Sequence, residues 1–362
     1  VAAEPRQLFL DDVTNSVGET FLSIPLRCAR CHDHKFDPIP TRDYYRLQAT
    51  FAPVQFAERD VPYLPSENQH GFETGRTRVE SLLMEAADER AAIAAKEEEA
   101  TRKWMEERGM EYLSKRARSK LPEDKRLPRF IGLTYEDLGT QKALAKRTQR
   151  LRWKRDRYKP IAFSVYNGSP IERRNINTRL KMPGKRGGES QKSHILGGGS
   201  VYAPTEEVSP GVLSAVYSSN EAIEPSAWNT IPEAMDGRRL ALANWIASAN
   251  NPLTTRSIVN RIWQWHFGRG IAGNTNNFGA MGKKPTHPEL LDWLAQYFVE
   301  HGWSFKALHR LIMNSEAYQR AGRPPDWDSV QEKDPDNKLL SYFRPRRLTA
   351  EELRDGMLFA SG

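Results

Sequence analysis

Thr255-Arg256-Ser257-Ile258-Val259-Asn260-Arg261-Ile262-Trp263-Gln264-Trp265-His266-Phe267, closed by Gly268, is the stretch that decides the fold. Ile258, Val259, Ile262, Trp263 and Phe267 recur at intervals of three and four, the period of a helix with one apolar face. Gly268 supplies the left-handed residue on which such a helix ends. The same period flanks this stretch on both sides. Residues 237–249 carry Leu240, Leu242, Ala243, Trp245 and Ile246. Residues 287–301 carry Leu290, Leu291, Leu294 and Phe298, with Pro288 at a first helical position, where its missing N–H costs nothing. Residues 304–318 carry Phe305, Leu308, Leu311, Ile312 and Tyr318. Glycines punctuate the connections, so the pattern predicts an α-helical domain with a dense core over 231–362.

Working back from there, the character of the chain changes twice. Ile161–Tyr166 and Ser193–Leu196 have strand composition, and Gly184, Gly187-Gly188, Gly197-Gly198-Gly199, Pro204 and Pro210 lie between and after them. This predicts a small β-rich insert over 159–230. The glycine triplet lacks the Gly-Lys-Ser/Thr ending of a phosphate loop and opens no helix. Before the insert, residues 73–158 read as a charged helical hairpin: one helix over about 77–121, a break around Pro122 and Pro128, and a second helix over about 140–158. Residues 1–72 form the fourth segment, with irregular chain over 54–72. A helix over 11–27 with Val13, Val17, Phe21 and Leu22 on one face leads into a turn at Asp37-Pro38-Ile39-Pro40, and Thr41 caps a short helix ending near Phe51. The expected fold class is mainly α with a small β-rich insert.

Of 362 residues, 38% are hydrophobic and 28% charged, the composition of a polar globular chain. No stretch approaches the roughly 18 apolar residues needed to span a bilayer. The net charge of +8 comes mainly from residues 115–186, as in Lys146-Arg147, Arg150, Arg152, Lys154-Arg155 and Arg157. Such runs are usually solvated helix faces; as a partner for them, an acidic polysaccharide is expected ahead of nucleic acid. The chain opens at Val1 with no basic, apolar and small-residue sequence of a secretory leader, and closes just after an amphipathic run. Both ends are read as cut from a longer protein.

The chain has two cysteines, and both lie in Cys28-Ala29-Arg30-Cys31-His32. Two intervening residues put both thiols on one side of a turn, and the next residue is an imidazole. That is what covalent haem-c attachment requires: thioethers to the two vinyl groups and an axial nitrogen on the iron. Cys28 and Cys31 are thus the expected attachment residues and His32 the proximal ligand. A structural metal site using Cys28, Cys31 and His32 or His34, with or without Asp37, is an alternative. A thiol–disulfide pair and a plain structural disulfide are the others. His34 and Asp37 are candidates for orienting His32 or a haem propionate and for bracing the loop. The distal iron position has three candidates: Met182 in Lys181-Met182-Pro183-Gly184, His266 and His287. A polar site built from Asn260, Arg261, His266, His287, Glu289 and Asp292 is a further expectation, set against the reading that Arg261 and Asp292 form structural ion pairs.

Phe21-Leu22, Cys28-Ala29-Arg30-Cys31-His32-Asp33-His34-Lys35-Phe36-Asp37-Pro38-Ile39, Gly197–Gly211, Arg238–Ile246, Asn260-Arg261-Ile262-Trp263-Gln264, His266-Phe267-Gly268, His287–Asp292, Leu308–Ile312 and Arg346-Arg347-Leu348 together resemble the planctomycete cytochrome-c-type proteins. The likeness covers most of the chain and is weakest over the hairpin at 73–158. Many members of that family have two adjacent histidines before Phe-Gly, where this chain has Trp265-His266. The resemblance implies export to a periplasmic or cell-surface compartment and further domains of the same full-length protein on both sides. It leaves the catalytic function open. Two functions are expected from the sequence. The first is a haem-c redox module passing electrons to a partner protein, with extracellular polymer degradation as the process it would serve. The second is a cell-surface binding or scaffolding protein with a structural or metal-binding cysteine loop.

Overall fold

The computed structural model describes residues 3–169, 180–184, 192–216 and 229–362. Its helices are α1 (Ala3–Val17), α2 (Thr41–Ala49), α3 (Phe72–Glu106), α4 (Lys115–Arg118), α5 (Tyr135–Asp156), α6 (Arg238–Ile246), α7 (Pro252–Phe267), α8 (Pro288–Glu300), α9 (Phe305–Met313), α10 (Glu316–Gln319), α11 (Trp327–Lys333) and α12 (Ala350–Ser361). Four strands, β1 (Val54–Asp60), β2 (Ile161–Asn167), β3 (Ser193–Leu196) and β4 (Pro204–Val208), make two two-stranded sheets, β1 with β2 and β3 with β4. The chain is therefore mainly helical with a little β structure, as its periodicity predicts. No helix among the described residues is long and apolar enough to cross a membrane.

Two compact units emerge. The first joins Val1–Gln55 and Asn167–Pro170 to Lys185–Gly362; the second is Phe56–Tyr166 with Ile171–Gly184. Residues 1–55 of the anticipated N-terminal segment thus share one unit with the C-terminal helices, while residues 56–72 belong to the other.

In the first unit, α7, α8 and α9 enclose Val259, Ile262, Trp263, Ile271, Leu291, Leu294, Phe298, Leu308 and Ile312. Local chemistry sets their limits. Asn251 accepts the Leu253 and Thr254 N–H groups to start α7, with Pro252 at its first position, and Gly268 (φ 75°) ends it. Ser304 caps α9 by accepting the Ala307 N–H. The helix expected over 304–318 breaks after Met313 because Ser315 caps a new turn, α10. In the β3–β4 hairpin, Ser193 lies opposite Val208 and His194 opposite Glu207, with a bulge before Leu196.

Toward the N terminus, α1 runs into a π-helical turn, Gly18–Leu22, and the cysteines follow in a short 3-10 turn, Arg27–Arg30. Thr41 is not the cap of α2. Pro40 holds that position, and the Thr41 N–H is taken by the carboxylate of Asp33, 2.8 Å away. Eight residues separate them, so no local motif announces the cap.

The second unit is built on α3 and α5. Between them, Val79, Ala86 and Met105 on one helix and Leu144 and Leu151 on the other are buried. A reciprocal capping box at Thr134 and Asp137 starts α5. The first hairpin helix ends at Glu106, short of the expected 121, and the chain passes Gly109 at φ 63°. At the base, Phe72 packs edge-on against Tyr63 and Tyr158, and a Cβ on Gly75 would stand 2.6 Å from the Tyr158 hydroxyl. The stretch 54–72, expected to be irregular, contributes β1. Its partner β2 lies a hundred residues on, and a lone half-polar strand has no local signature.

Candidate functional site

The cysteine turn is exposed above and anchored below. The Cys31 N–H bonds to the Cys28 carbonyl at 3.3 Å, which closes the turn, and both thiols are free and solvent-exposed. Ala29, between them, is fully buried. The backbone is thus fixed while the two sulfurs are presented outward. Gly199 (φ 75°) lies against the turn: a Cβ there would stand 2.9 Å from the Cys31 sulfur and 3.0 Å from Arg30 Nε. The glycine triplet, discounted as a nucleotide site, makes room for the thiol.

Beneath the turn lies a buried polar cluster. Asp11 Oδ1 accepts hydrogen bonds from Gln7 (2.8 Å), Tyr44 (2.8 Å) and Gln48 (2.9 Å), and Arg30 stands 3.2 Å from Oδ2. Tyr45 donates to the Arg30 carbonyl at 2.9 Å. Burial pushes the Tyr45 phenol up to about 12, with the negative charge of Asp11 adding to the shift. The same two causes raise Tyr44. Both phenols therefore stay protonated as hydrogen-bond donors.

His32 is exposed, and its Nδ1 lies 2.7 Å from the Asp33 carbonyl. A carbonyl only accepts, so Nδ1 carries the proton and Nε2 keeps its lone pair. This is the second-shell arrangement that prepares an imidazole to ligate through Nε2. The donor set fits a covalent haem: two exposed thiols on one turn and a neighbouring imidazole with Nε2 available. Among the described residues, no group of three or more His, Cys, Asp or Glu side chains is placed to hold a metal ion by itself.

His34 and Asp37 turn inward. His34 Nδ1 accepts the Asp37 N–H at 3.0 Å, so the ring proton is on Nε2. The 3.3 Å approach of Asp37 Oδ2 to that nitrogen follows from the turn rather than from an ion pair. Asp37 Oδ1 accepts the Ala280 N–H at 2.6 Å. A Cβ on Gly279 would fall 2.3 Å from Oδ2, so only glycine admits the carboxylate there. Asp37 braces the loop, by clamping it to the 277–282 turn.

The other expected site residues are dispersed. Met182 belongs to the second unit, and His266 and His287 to the first. The polar set around α7 does not form one site. Asn260 is buried and exchanges two 2.9 Å hydrogen bonds with the Ala272 backbone. Arg261 donates to the carbonyls of Thr20 and Glu19, capping the π-helical turn. Asp292 pairs with Arg256 at 2.6 Å, not with Arg261. His287 Nδ1 lies 3.0 Å from Thr286 Oγ1.

His266 has a partner the sequence did not offer. Its Nε2 is 2.7 Å from His309 Nδ1, and Tyr318 packs edge-on against its ring. Burial first, then the charges of His309 and Arg346, hold His266 below its ordinary value. The unfolded chain therefore takes up this proton before the folded one as pH falls. The stabilising contribution is complete above about pH 6.5 and is lost progressively below it. The urea midpoint is expected to fall between pH 7 and pH 5 in the parent, and to fall less steeply in His266→Gln. Equal slopes would show that another group carries the dependence.

With that geometry in place, the comparisons with known proteins fall on the two ends of the first unit. Both matches are to families named for planctomycete cytochrome-like domains, and neither has an assigned function. Residues 1–56 match PSCyt2, a protein of unknown function (DUF1549), and residues 238–362 match PSD1, a protein of unknown function (DUF1553). No curated protein and no solved structure matches the chain.

Proposed function

We propose that Cys28, Cys31 and His32 hold a covalently attached haem c, and that the chain is a redox module of a larger protein exported to the periplasm or cell surface. The observation that carries this reading is the state of His32, whose Nδ1 is committed to the Asp33 carbonyl and whose Nε2 is left to ligate, beside two exposed thiols on one fixed turn. When bound, haem c supplies a one-electron iron couple. The protein's part is positional. Ala29 and the Asp11 cluster fix the turn, Gly199 makes room for the Cys31 sulfur, and Asp37 ties the loop to the 277–282 turn. His266, whose Nε2 is engaged by His309, is the weakest of the three distal candidates. Partners on this reading are other domains of the full-length protein and a redox protein that docks at the exposed turn.

A second reading has one observation of its own. Lys142, Lys146, Arg150, Trp153 and Arg157 follow one another at three- and four-residue intervals on the exposed side of α5. A stripe of that kind suits an acidic glycan.

The deciding experiment is a pyridine haemochrome spectrum of protein produced with the cytochrome-c maturation machinery, beside Cys28→Ala/Cys31→Ala. Covalent haem in the parent and none in the variant is the expected result. Folded parent without haem would overturn the redox reading, and salt-sensitive retention on an acidic glycan by both proteins would then point to the second.

A further inference from the structure

A recess in the first unit, away from the cysteine turn, has the character of a binding site. Trp263 and Phe267, stacked with centroids 4.2 Å apart, line it together with Ile271 and Leu340. Its volume of about 40 Å³ is the room of a few water molecules. Arg269, Lys338 and Arg344 line it as well, with Asp336 as the acidic group among them. Asp336 is used by Lys338, 2.9 Å away. Arg269 and Arg344 have no hydrogen-bond or ion-pair partner among the described residues. Lys338 first, and more weakly Arg269 and Arg344, hold the Asp336 carboxyl below the usual range.

The wall of this recess is held rigidly in a strained form. Leu340 has φ 56° and Asn337 φ 53°. A left-handed leucine is costly and persists only where its surroundings over-determine it, as they do at ligand clamps. Here they do. Buried Asp334 accepts the Lys338 and Leu339 N–H groups and the Ser341 hydroxyl, Asn337 bonds both ways with the Tyr342 backbone, and Arg320 donates to the Leu340 carbonyl at 2.8 Å. The loop thus presents Lys338 and Leu340 in a fixed place beside two guanidiniums whose acidic neighbour, Asp336, is bonded to Lys338.

We infer that this recess binds the oxyanion head, a carboxylate or sulfate, of a small organic ligand, with Arg269 and Arg344 as its donors. Guanidinium forks match such groups bidentately, and the apolar wall lowers the local dielectric and strengthens the pairing. The recess admits the head alone, so the remainder of the ligand lies at its mouth. His287, a distal candidate, also lines the recess, but the anion donors are not haem ligands, so the inference holds if the redox reading fails.

The test is calorimetric titration of the whole chain with sodium sulfate, with D-glucuronate and with uncharged D-glucose. Saturable binding of sulfate and glucuronate in competition, and none of glucose, is expected. Arg344→Gln, a change at an exposed position, is expected to weaken binding at least about tenfold, and Arg269→Gln/Arg344→Gln to abolish it. Arg354→Gln, an exposed change outside the recess, leaves it intact. Absence of saturable binding for both anions, or binding that survives Arg344→Gln in a protein with parental melting temperature, overturns the inference.

Discussion

Asp11→Ala is expected to lower the unfolding free energy by about 3–5 kcal/mol. Removing this carboxylate strands three buried donors at once, those of Gln7, Tyr44 and Gln48, and leaves Arg30 without its counter-charge. An unpaired buried donor costs about 1–3 kcal/mol, and the groups can recover part of that by pairing among themselves. Gln7 already donates to Gln48 Oε1 at 3.1 Å, and that bond remains in the variant. Asp11→Asn, which keeps the shape and one acceptor, is expected to lose about half as much. Urea unfolding at neutral pH measures both. Amide exchange at Ala29 and Cys31 is also expected to quicken in the alanine variant, because the cluster underpins the cysteine turn. A loss below 1 kcal/mol in Asp11→Ala would show that the cluster does not anchor it.

Arg238→Met is expected to cost a similar amount, about 3–5 kcal/mol. The Arg238 side chain is buried and donates to three carbonyls, those of Ala49 (2.9 Å), Ala234 (3.2 Å) and Glu233 (2.5 Å). Ala49 is the last residue of α2 and Arg238 the first of α6, so one guanidinium satisfies the end of one helix from the start of another. Methionine keeps most of the volume and loses every bond. Arg238→Lys restores the charge but not the fork, and is expected to recover less than half the loss. The comparison separates a geometric role from a merely electrostatic one: equal stability of the lysine variant and the parent would refute the former.

What could be read from the sequence follows from distance along the chain. The periods of α7, α8 and α9 are local, and the residues that set them are the ones that form the core. Pro288 and Gly268 likewise act within a turn of where they stand. The cysteine turn is also local, and its spacing alone announces two thiols on one side. The parts that position it are not. Asp37 meets Ala280, Arg261 meets Thr20, Ser23 meets Ser257 at 2.6 Å, and Arg238 meets Ala49, each across some 190 residues or more. No composition or period encodes such partners. The polar set spread over α7 and the start of α8 does not converge for the same reason: Asn260 serves the Ala272 backbone, Arg261 the carbonyls of Glu19 and Thr20, His266 the ring of His309, and Asp292 the guanidinium of Arg256. Arg269 and Arg344 stand 75 residues apart, and the sequence holds no sign that they share a recess.

The discontinuity of the first unit bears on how the molecule is made. A ribosome releases the cysteine turn first, and the amide that Asp37 holds is 243 residues further on. At about 5–20 residues per second, roughly 10–50 s pass before that amide exists. Through that interval α1 and α2 have each other, through the Asp11 cluster, but not the C-terminal turn that Asp37 clamps. Any chemistry at Cys28 and Cys31 that needs a pliable backbone therefore precedes docking of the 277–282 turn on Asp37, in whichever compartment the chain folds. A chain truncated before residue 280 would never make that contact.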